Sequence, residues 1–184
     1  MIFDKNISRI IGKERINYGI IFGNEKIVFI KSGAGGSIRG AENKYLSMAK
    51  IAHEKLGATV VCANNPDASH EFWDEKIIRW VISKKEFSKF EVYFFGTSDG
   101  AYKNLLLAKK FPETVKIISV NTSFISIENL KKELLAIPQV KKILVCGTND
   151  DEYDALISLK NENCNNLSLV TIEGANHTFS GMTD

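Results

Sequence analysis

Three residue types that together can move an acyl group occur in this chain in one order: Ser98, then an aspartate at 150 or 151, then His177. A serine hydroxyl is a weak nucleophile until a neighbouring base takes its proton. A histidine can take that proton and later hand it to a leaving group. An aspartate can hold the imidazole in one tautomer and stabilise its cation. Ser98 stands in Gly96-Thr97-Ser98-Asp99-Gly100. There the apolar run Glu91-Val92-Tyr93-Phe94-Phe95 gives way to a helical pattern of Tyr102, Leu105, Leu106, Leu107 and Ala108. Strand, sharp turn and helix is the setting in which a G-x-S-x-G serine is presented. Glycines flank the turn because so tight a bend leaves little room for Cβ atoms and holds the serine in a strained conformation.

The elements that must carry these residues follow from periodicity. Ile7–Ile11 and Ile16–Phe22 read as two short antiparallel strands at one edge of a sheet. Six nearly continuous apolar runs follow: Lys26–Lys31, Thr59–Ala63, Glu91–Phe95, Lys116–Val120, Lys142–Cys146 and Ser168–Ile172. Strands covered on both faces have this character. Helical patterns fill the gaps: Tyr45, Met48, Ala49, Ala52 and Leu56 share one face, as do Trp73, Ile77 and Val81, and Ile127, Leu130, Leu134 and Ile137. A shorter pattern spans Glu152–Leu159. Alternation of strand and helix predicts an α/β fold, a mostly parallel central sheet flanked by helices on both faces. No repeat or linker interrupts the pattern, so residues 1–184 read as a single domain.

In open parallel sheets, ligands bind beyond the carboxyl ends of the strands. Those ends carry Ser32-Gly33-Ala34-Gly35-Gly36, Asn64-Asn65-Pro66-Asp67, the Ser98 turn, Asn121-Thr122-Ser123, Gly147-Thr148-Asn149-Asp150-Asp151 and Glu173-Gly174-Ala175-Asn176-His177. The serine, the acids and the histidine therefore belong to one edge of one sheet. The glycine loop after the first parallel strand lacks two phosphate signatures. Ile38 stands where a dinucleotide fingerprint has its third glycine, and Ala41 stands where a P-loop has lysine.

The sequence resembles the α/β-hydrolase family from about Lys26 to its end. The resemblance rests on Gly96-Thr97-Ser98-Asp99-Gly100, Gly147-Thr148-Asn149-Asp150 and Gly174-Ala175-Asn176-His177, and on their chain order of nucleophile, acid, histidine. It implies an α/β-hydrolase fold and a serine hydrolase, esterase-like, acting through an acyl-Ser98 intermediate. The catalytic set would be Ser98, Asp150 and His177, with Asp150 favoured over Asp151 by the family's spacing from glycine. Asp151 is an alternative cap for the next helix. The oxyanion donors implied are the backbone N–H groups of Asp99 and of Ala34, with Gly33 next in line. Gly33 and Asn65 are the expected substrate contacts. Three departures stand out. The oxyanion loop opens with Ser32-Gly33 where the family often has His-Gly, Asp99 adjoins the nucleophile, and the chain stops soon after His177, before the family's usual last helix. Few residues follow Val120 where lids are inserted, so an open site for small esters, thioesters or amides is expected.

Composition limits the rest. A net charge of +2 with dispersed lysines gives no nucleic-acid footprint. Cys62, Cys146 and Cys164 form no C-x-x-C, and with three scattered histidines they make no familiar metal set. His53 and His70 belong with helices and read as structural. The start of the chain has no apolar leader, and no stretch is long enough to span a bilayer. The expectation is a cytoplasmic protein without cofactor or metal whose partner is a small acyl substrate, with no nucleic-acid or membrane partner and the oligomeric state open. Two other functions share these features: a hydrolase-fold binding or sensing protein without turnover, and an acyltransferase.

Overall fold

The computed structural model describes residues 2–66, 71–162 and 164–179. Eight strands form one sheet: β1 (Lys5–Ile11), β2 (Glu14–Ile21), β3 (Asn24–Lys31), β4 (Ala58–Ala63), β5 (Glu91–Thr97), β6 (Thr114–Val120), β7 (Lys141–Gly147) and β8 (Leu167–Ile172). Five α-helices connect them: α1 (Lys44–Leu56), α2 (Glu71–Lys84), α3 (Asp99–Ala108), α4 (Ile127–Leu135) and α5 (Tyr153–Ser158). The strand order is β1-β2-β4-β3-β5-β6-β7-β8. β1 and β2 form an antiparallel hairpin, β2 runs antiparallel to β4, and every pairing from β4 through β3 to β8 is parallel.

Alternate residues of the central strands feed two cores, as the pleat requires. On one face Ile27, Phe29, Val61, Val92, Phe94 and Leu144 pack under α2, α3, α4 and α5 through Ile78, Leu105, Leu134 and Leu156. On the other, Ile30, Val60 and Cys62 pack under α1 through Tyr45, Leu46 and Ala49. Apolar strands predict cover on both faces, and that cover is uneven. Among the described residues only α1 lies on the second face, over β3 and β4. Farther along that face Ile118, Ile143 and Val145 are only half-buried and Val170 is 45% exposed.

Two helix residues depart from their expected places. Leu56, in the last turn of α1, is exposed rather than in the core. Ile137 is buried but lies beyond the end of α4. Pro138 disfavours helical geometry in the residue before it, so the helix stops short and Ile137 enters the core from the loop.

The sheet also buries a charge. Lys31, at the end of β3, is fully buried, and its Nζ lies 2.7 Å from Asp74 Oδ2 on α2. Tyr18 donates its hydroxyl to the other carboxylate oxygen at 2.9 Å, and Lys31 also donates to the Asn64 carbonyl. Burial, with Asp74 alongside, pushes the Tyr18 phenol far above its ordinary range, so it stays a neutral donor. Breaking such a buried pair leaves an uncompensated charge. Asp74→Ala is expected to lose about 3–5 kcal/mol in urea unfolding, whereas Lys31→Met with Asp74→Leu loses far less. Equal losses in the two proteins would refute the charge explanation.

Candidate active site

Ser98 occupies the turn between β5 and α3 with φ 53° and ψ −130°, a conformation that side-chain-bearing residues rarely adopt. The flanking glycines are held by different neighbours. A Cβ on Gly96 would lie 2.6 Å from the Ala101 Cα, and one on Gly100 would lie 2.1 Å from the Ser32 carbonyl oxygen. The turn is thus pressed against the helix on one side and against the loop after β3 on the other.

His177 Nε2 lies 2.9 Å from Ser98 Oγ, and His177 Nδ1 lies 2.7 Å from Asp150 Oδ2. With Nδ1–H donating to the carboxylate, Nε2 is left as the acceptor for the Ser98 hydroxyl. The Asp150 side chain is buried while that of His177 is 41% exposed. The acid is fixed from below and the imidazole faces the cleft. Asp150 Oδ1 accepts the Glu152 N–H at 2.9 Å, which pins the carboxylate. Asp151 is exposed and makes no cap to α5 among the described residues, where Asp150 instead tethers the turn.

The loop after β3 lies against this group. A Cβ on Gly33 would come within 3.2 Å of the Ser98 Cβ. The backbone N–H groups of Ala34 and Asp99 have no acceptor among the described residues. That of Asp99 is one of the orphan donors at the start of α3. Gly33, Ala34, Ser98 and His177 share a cavity of about 820 Å³ with Tyr45, Met48, Phe95, Val120 and Phe179. The Tyr45 hydroxyl bonds Thr97 Oγ1 at 2.6 Å beneath it. Burial raises the Tyr45 phenol, while its bonds to Thr97 and to the Gly33 backbone pull the other way.

Asn65, expected to touch substrate, does not reach the cavity. It is fully buried and works as a brace. Its Nδ2 donates to Asp99 Oδ2 at 2.9 Å, its Oδ1 accepts from Lys103 at 3.0 Å, and its carbonyl accepts the Gly35 N–H at 2.8 Å. The strand end that carries it turns under the glycine loop rather than into the cleft. Burial alone would raise the Asp99 carboxyl, but hydrogen bonds from Lys103 and Asn65 and the charges of Lys103 and Lys31 hold it below the ordinary carboxylate range. His53 Nδ1 bonds the Ala58 carbonyl at 2.9 Å, a structural contact, and His70 lies outside the described residues. No group of three or more His, Cys, Asp or Glu residues among the described residues could hold a metal ion.

Two residues at the end of β6 join the site without having drawn notice as site residues. Ser123 Oγ lies 3.0 Å from Ser98 Oγ. Asn121, buried at φ 44°, donates through Nδ2 to the carbonyls of Asn176 (3.0 Å) and His177 (2.7 Å), and its Oδ1 accepts the Gly147 N–H at 3.0 Å. One amide therefore ties the histidine loop to the strand that bears the acid. Asparagine is several-fold enriched at positive φ, which is the one local signal of this role.

No protein-family model matches the chain, and no curated protein matches it in sequence. Solved structures do match. Est1E from Butyrivibrio proteoclasticus aligns over 95% of this chain and 91% of its own, with TM-score 0.69 and 15% identity. A putative alpha/beta hydrolase from Agrobacterium tumefaciens aligns over 96% of this chain and 88% of its own, with TM-score 0.71 and 19% identity. A dienelactone hydrolase from Anabaena variabilis aligns over 96% and 88%, with TM-score 0.61 and 20% identity. At these identities the likeness is one of architecture: the chain has the α/β-hydrolase fold. No helix among the described residues is long and apolar enough to cross a membrane.

The Asn121 clamp makes a sharp test. Asn121→Asp keeps the acceptor for the Gly147 N–H but turns an oxygen toward two carbonyls. The labelling of Ser98 by a fluorophosphonate is expected to slow by about 10²-fold, the scale of a 1 Å misplacement, with circular dichroism unchanged. Labelling at the wild-type rate would remove the clamp from the site.

Proposed function

We propose that the protein is a serine hydrolase that cleaves a small acyl ester, or a related thioester or amide, through an acyl-Ser98 intermediate. The observation that carries this reading is the hydrogen-bonded chain Ser98 Oγ–His177 Nε2 and His177 Nδ1–Asp150 Oδ2, at 2.9 and 2.7 Å, beside two backbone donors that have no acceptor among the described residues.

In this mechanism Ser98 Oγ attacks the substrate carbonyl carbon as its proton passes to His177 Nε2. The carbonyl oxygen becomes an oxyanion and takes hydrogen bonds from the N–H groups of Ala34 and Asp99. Removing one such donor raises a barrier by about 3 kcal/mol in enzymes of this chemistry. The intermediate collapses, the acyl–leaving-group bond breaks, and His177 gives its proton to the departing atom. Water then repeats the cycle, with His177 as base, and Ser98 regains its proton as the acid leaves. Asp150 keeps Nδ1 protonated throughout and offsets the imidazolium charge. Neither step requires a cofactor. Only six residues separate Val120 from the start of α4, so the cleft carries no cap from that connection. An open cavity of about 820 Å³ with an apolar wall suits a short acyl chain.

A fluorophosphonate is expected to label the wild-type protein and not Ser98→Ala, and the wild type to turn over short p-nitrophenyl esters. Equal labelling of both proteins would sink the proposal. Labelling with no turnover on an ester, thioester and amide panel would favour a binding protein, and faster acyl loss to an added alcohol than to water an acyltransferase. On the same ester, Asp150→Asn is expected to lower kcat by about 10⁴-fold through the wrong imidazole tautomer. Asp151→Asn should stay near wild type, since its side chain is exposed and makes no cap to α5 among the described residues. Steady-state rates of the two variants, with folding checked, test the choice of acid, and near-normal rates in both would discard the triad.

A further inference from the structure

The backbone holds the glycine loop on either side of Ala34 but not at Ala34 itself. Ahead of it, the Ser32 N–H bonds the Ala63 carbonyl at 3.2 Å. Beyond it, Gly35 donates to the Asn65 carbonyl at 2.8 Å and Gly36 to the Gly33 carbonyl at 2.9 Å. Between these, neither Gly33 nor Ala34 donates a backbone–backbone bond among the described residues. The first side chain of the loop gives no support either, since the buried Ser32 Oγ has no partner among them. Yet a donor that stabilises an oxyanion must be fixed before the charge develops.

A side chain from α1 reaches this gap. The Tyr45 hydroxyl lies 2.6 Å from Thr97 Oγ1, and the Gly33 backbone bonds the same phenol oxygen. Gly33 is packed at that point: a Cβ on it would lie 3.6 Å from Thr97 Oγ1 and 3.2 Å from the Ser98 Cβ. Thr97 immediately precedes the nucleophile, and Gly33 immediately precedes Ala34. One hydroxyl thus joins the residue before Ser98 to the residue before the oxyanion donor. The ring that carries it is held on both sides. Tyr45 is buried, and its N–H bonds the Arg39 carbonyl at 2.9 Å. Gly40, at φ 71°, bends round the ring so closely that a Cβ there would lie 2.6 Å from it.

We propose that Tyr45 is a positioning residue: its hydroxyl, by tying Gly33 to Thr97, sets the Ala34 N–H relative to Ser98 Oγ. The inference rests on the acyl-Ser98 reading above. Tyr45 takes no part in bond making and exchanges no proton; it acts through the two residues that it joins. A tyrosine of the following helix thereby supplies the support that the Ser32 side chain does not give. Acylation and deacylation both pass through an oxyanion, so loss of the hydroxyl slows both steps. Binding of the ester before attack makes no demand on the donor's exact place, so KM is little touched.

The test measures turnover of p-nitrophenyl butyrate and the rate of fluorophosphonate labelling, with folding checked by circular dichroism. Tyr45→Phe keeps the ring and removes only the hydroxyl. It is expected to lower kcat and the labelling rate alike by about 10- to 100-fold, up to the cost of a misplacement of about 1 Å, with KM within about twofold of wild type. Thr97→Val is expected to do the same, and it reads the same link should Tyr45→Phe not fold. The double variant is expected to be no slower than either single one, because both cut one connection. Thr97→Ser, which keeps the hydroxyl, is expected to recover most of the loss. Wild-type kcat in Tyr45→Phe overturns the role, and so does a rise in KM at constant kcat, which would make the hydroxyl a wall of the cleft only. Losses that multiply in the double variant, or Thr97→Ser as slow as Thr97→Val, overturn the link on which the role stands. No labelling and no turnover by the wild-type protein would instead overturn the acyl-Ser98 reading itself.

Discussion

The Gly100 backbone passes so close to the Ser32 carbonyl that a single added carbon would lie 2.1 Å from it, and the rest of the site depends on that approach. It locks the start of α3 to the loop after β3. Because Ser98 and Asp99 precede Gly100 directly, and Gly33 and Ala34 follow Ser32, the contact also fixes a hydroxyl and two backbone donors relative to one another. Strain at Ser98 is the local cost of this packing, and it persists because strand, helix and loop all constrain the turn.

Buried amides hold the remaining loops. Asn65 braces the glycine loop and Asp99 from below, Asn104 donates from α3 to the Phe95 carbonyl at 3.0 Å, and Asn121 ties the histidine loop to β7. The Asn104 and Asn121 amides donate to backbone carbonyls, whereas the Asn65 amide is satisfied by the side chains of Asp99 and Lys103, and such bonds offset the cost of burying an amide. Gly147 adds the last constraint, since a Cβ there would lie 2.1 Å from the Ala175 carbonyl oxygen. The acid loop and the histidine loop are thereby packed edge to edge, and Thr148 and Asn149 bond across the seam to Gly174.

Charge is organised along the same edge. The buried Lys31–Asp74 pair lies directly behind the glycine loop, and the positive end of that pair helps hold the Asp99 carboxylate ionised. The covered and uncovered parts of the sheet follow a simpler rule. α1 covers β3 and β4, while the same face of β6 to β8 keeps half-exposed valines and isoleucines. An apolar strand run is therefore evidence of a sheet interior in one direction only; what lies on the second face is a matter of which helix reaches it.

Much of the architecture was legible in the chain because it depends on short-range pattern. Alternation of apolar runs with helical periodicity specified the strands and helices, and the glycines around Ser98 specified a sharp turn. Placement at strand ends brought Ser98, Asp150 and His177 to one edge on sequence grounds, and the fold brings their side chains within hydrogen-bond distance. Spacing from Gly147 favoured Asp150 over Asp151 in the sequence, and in the fold it is Asp150 whose carboxylate turns to the imidazole. Asn65 looked like a substrate contact because strand ends face the ligand edge, yet its side chain is buried and bonds Asp99 and Lys103 of α3. Asn121 and Ser123 gave almost no signal, because their partners lie on segments 55 or 56 and 25 residues away. Periodicity and turn chemistry act over a few residues and can be read from sequence, whereas hydrogen bonds between distant loops exist only once the sheet has fixed where each loop emerges.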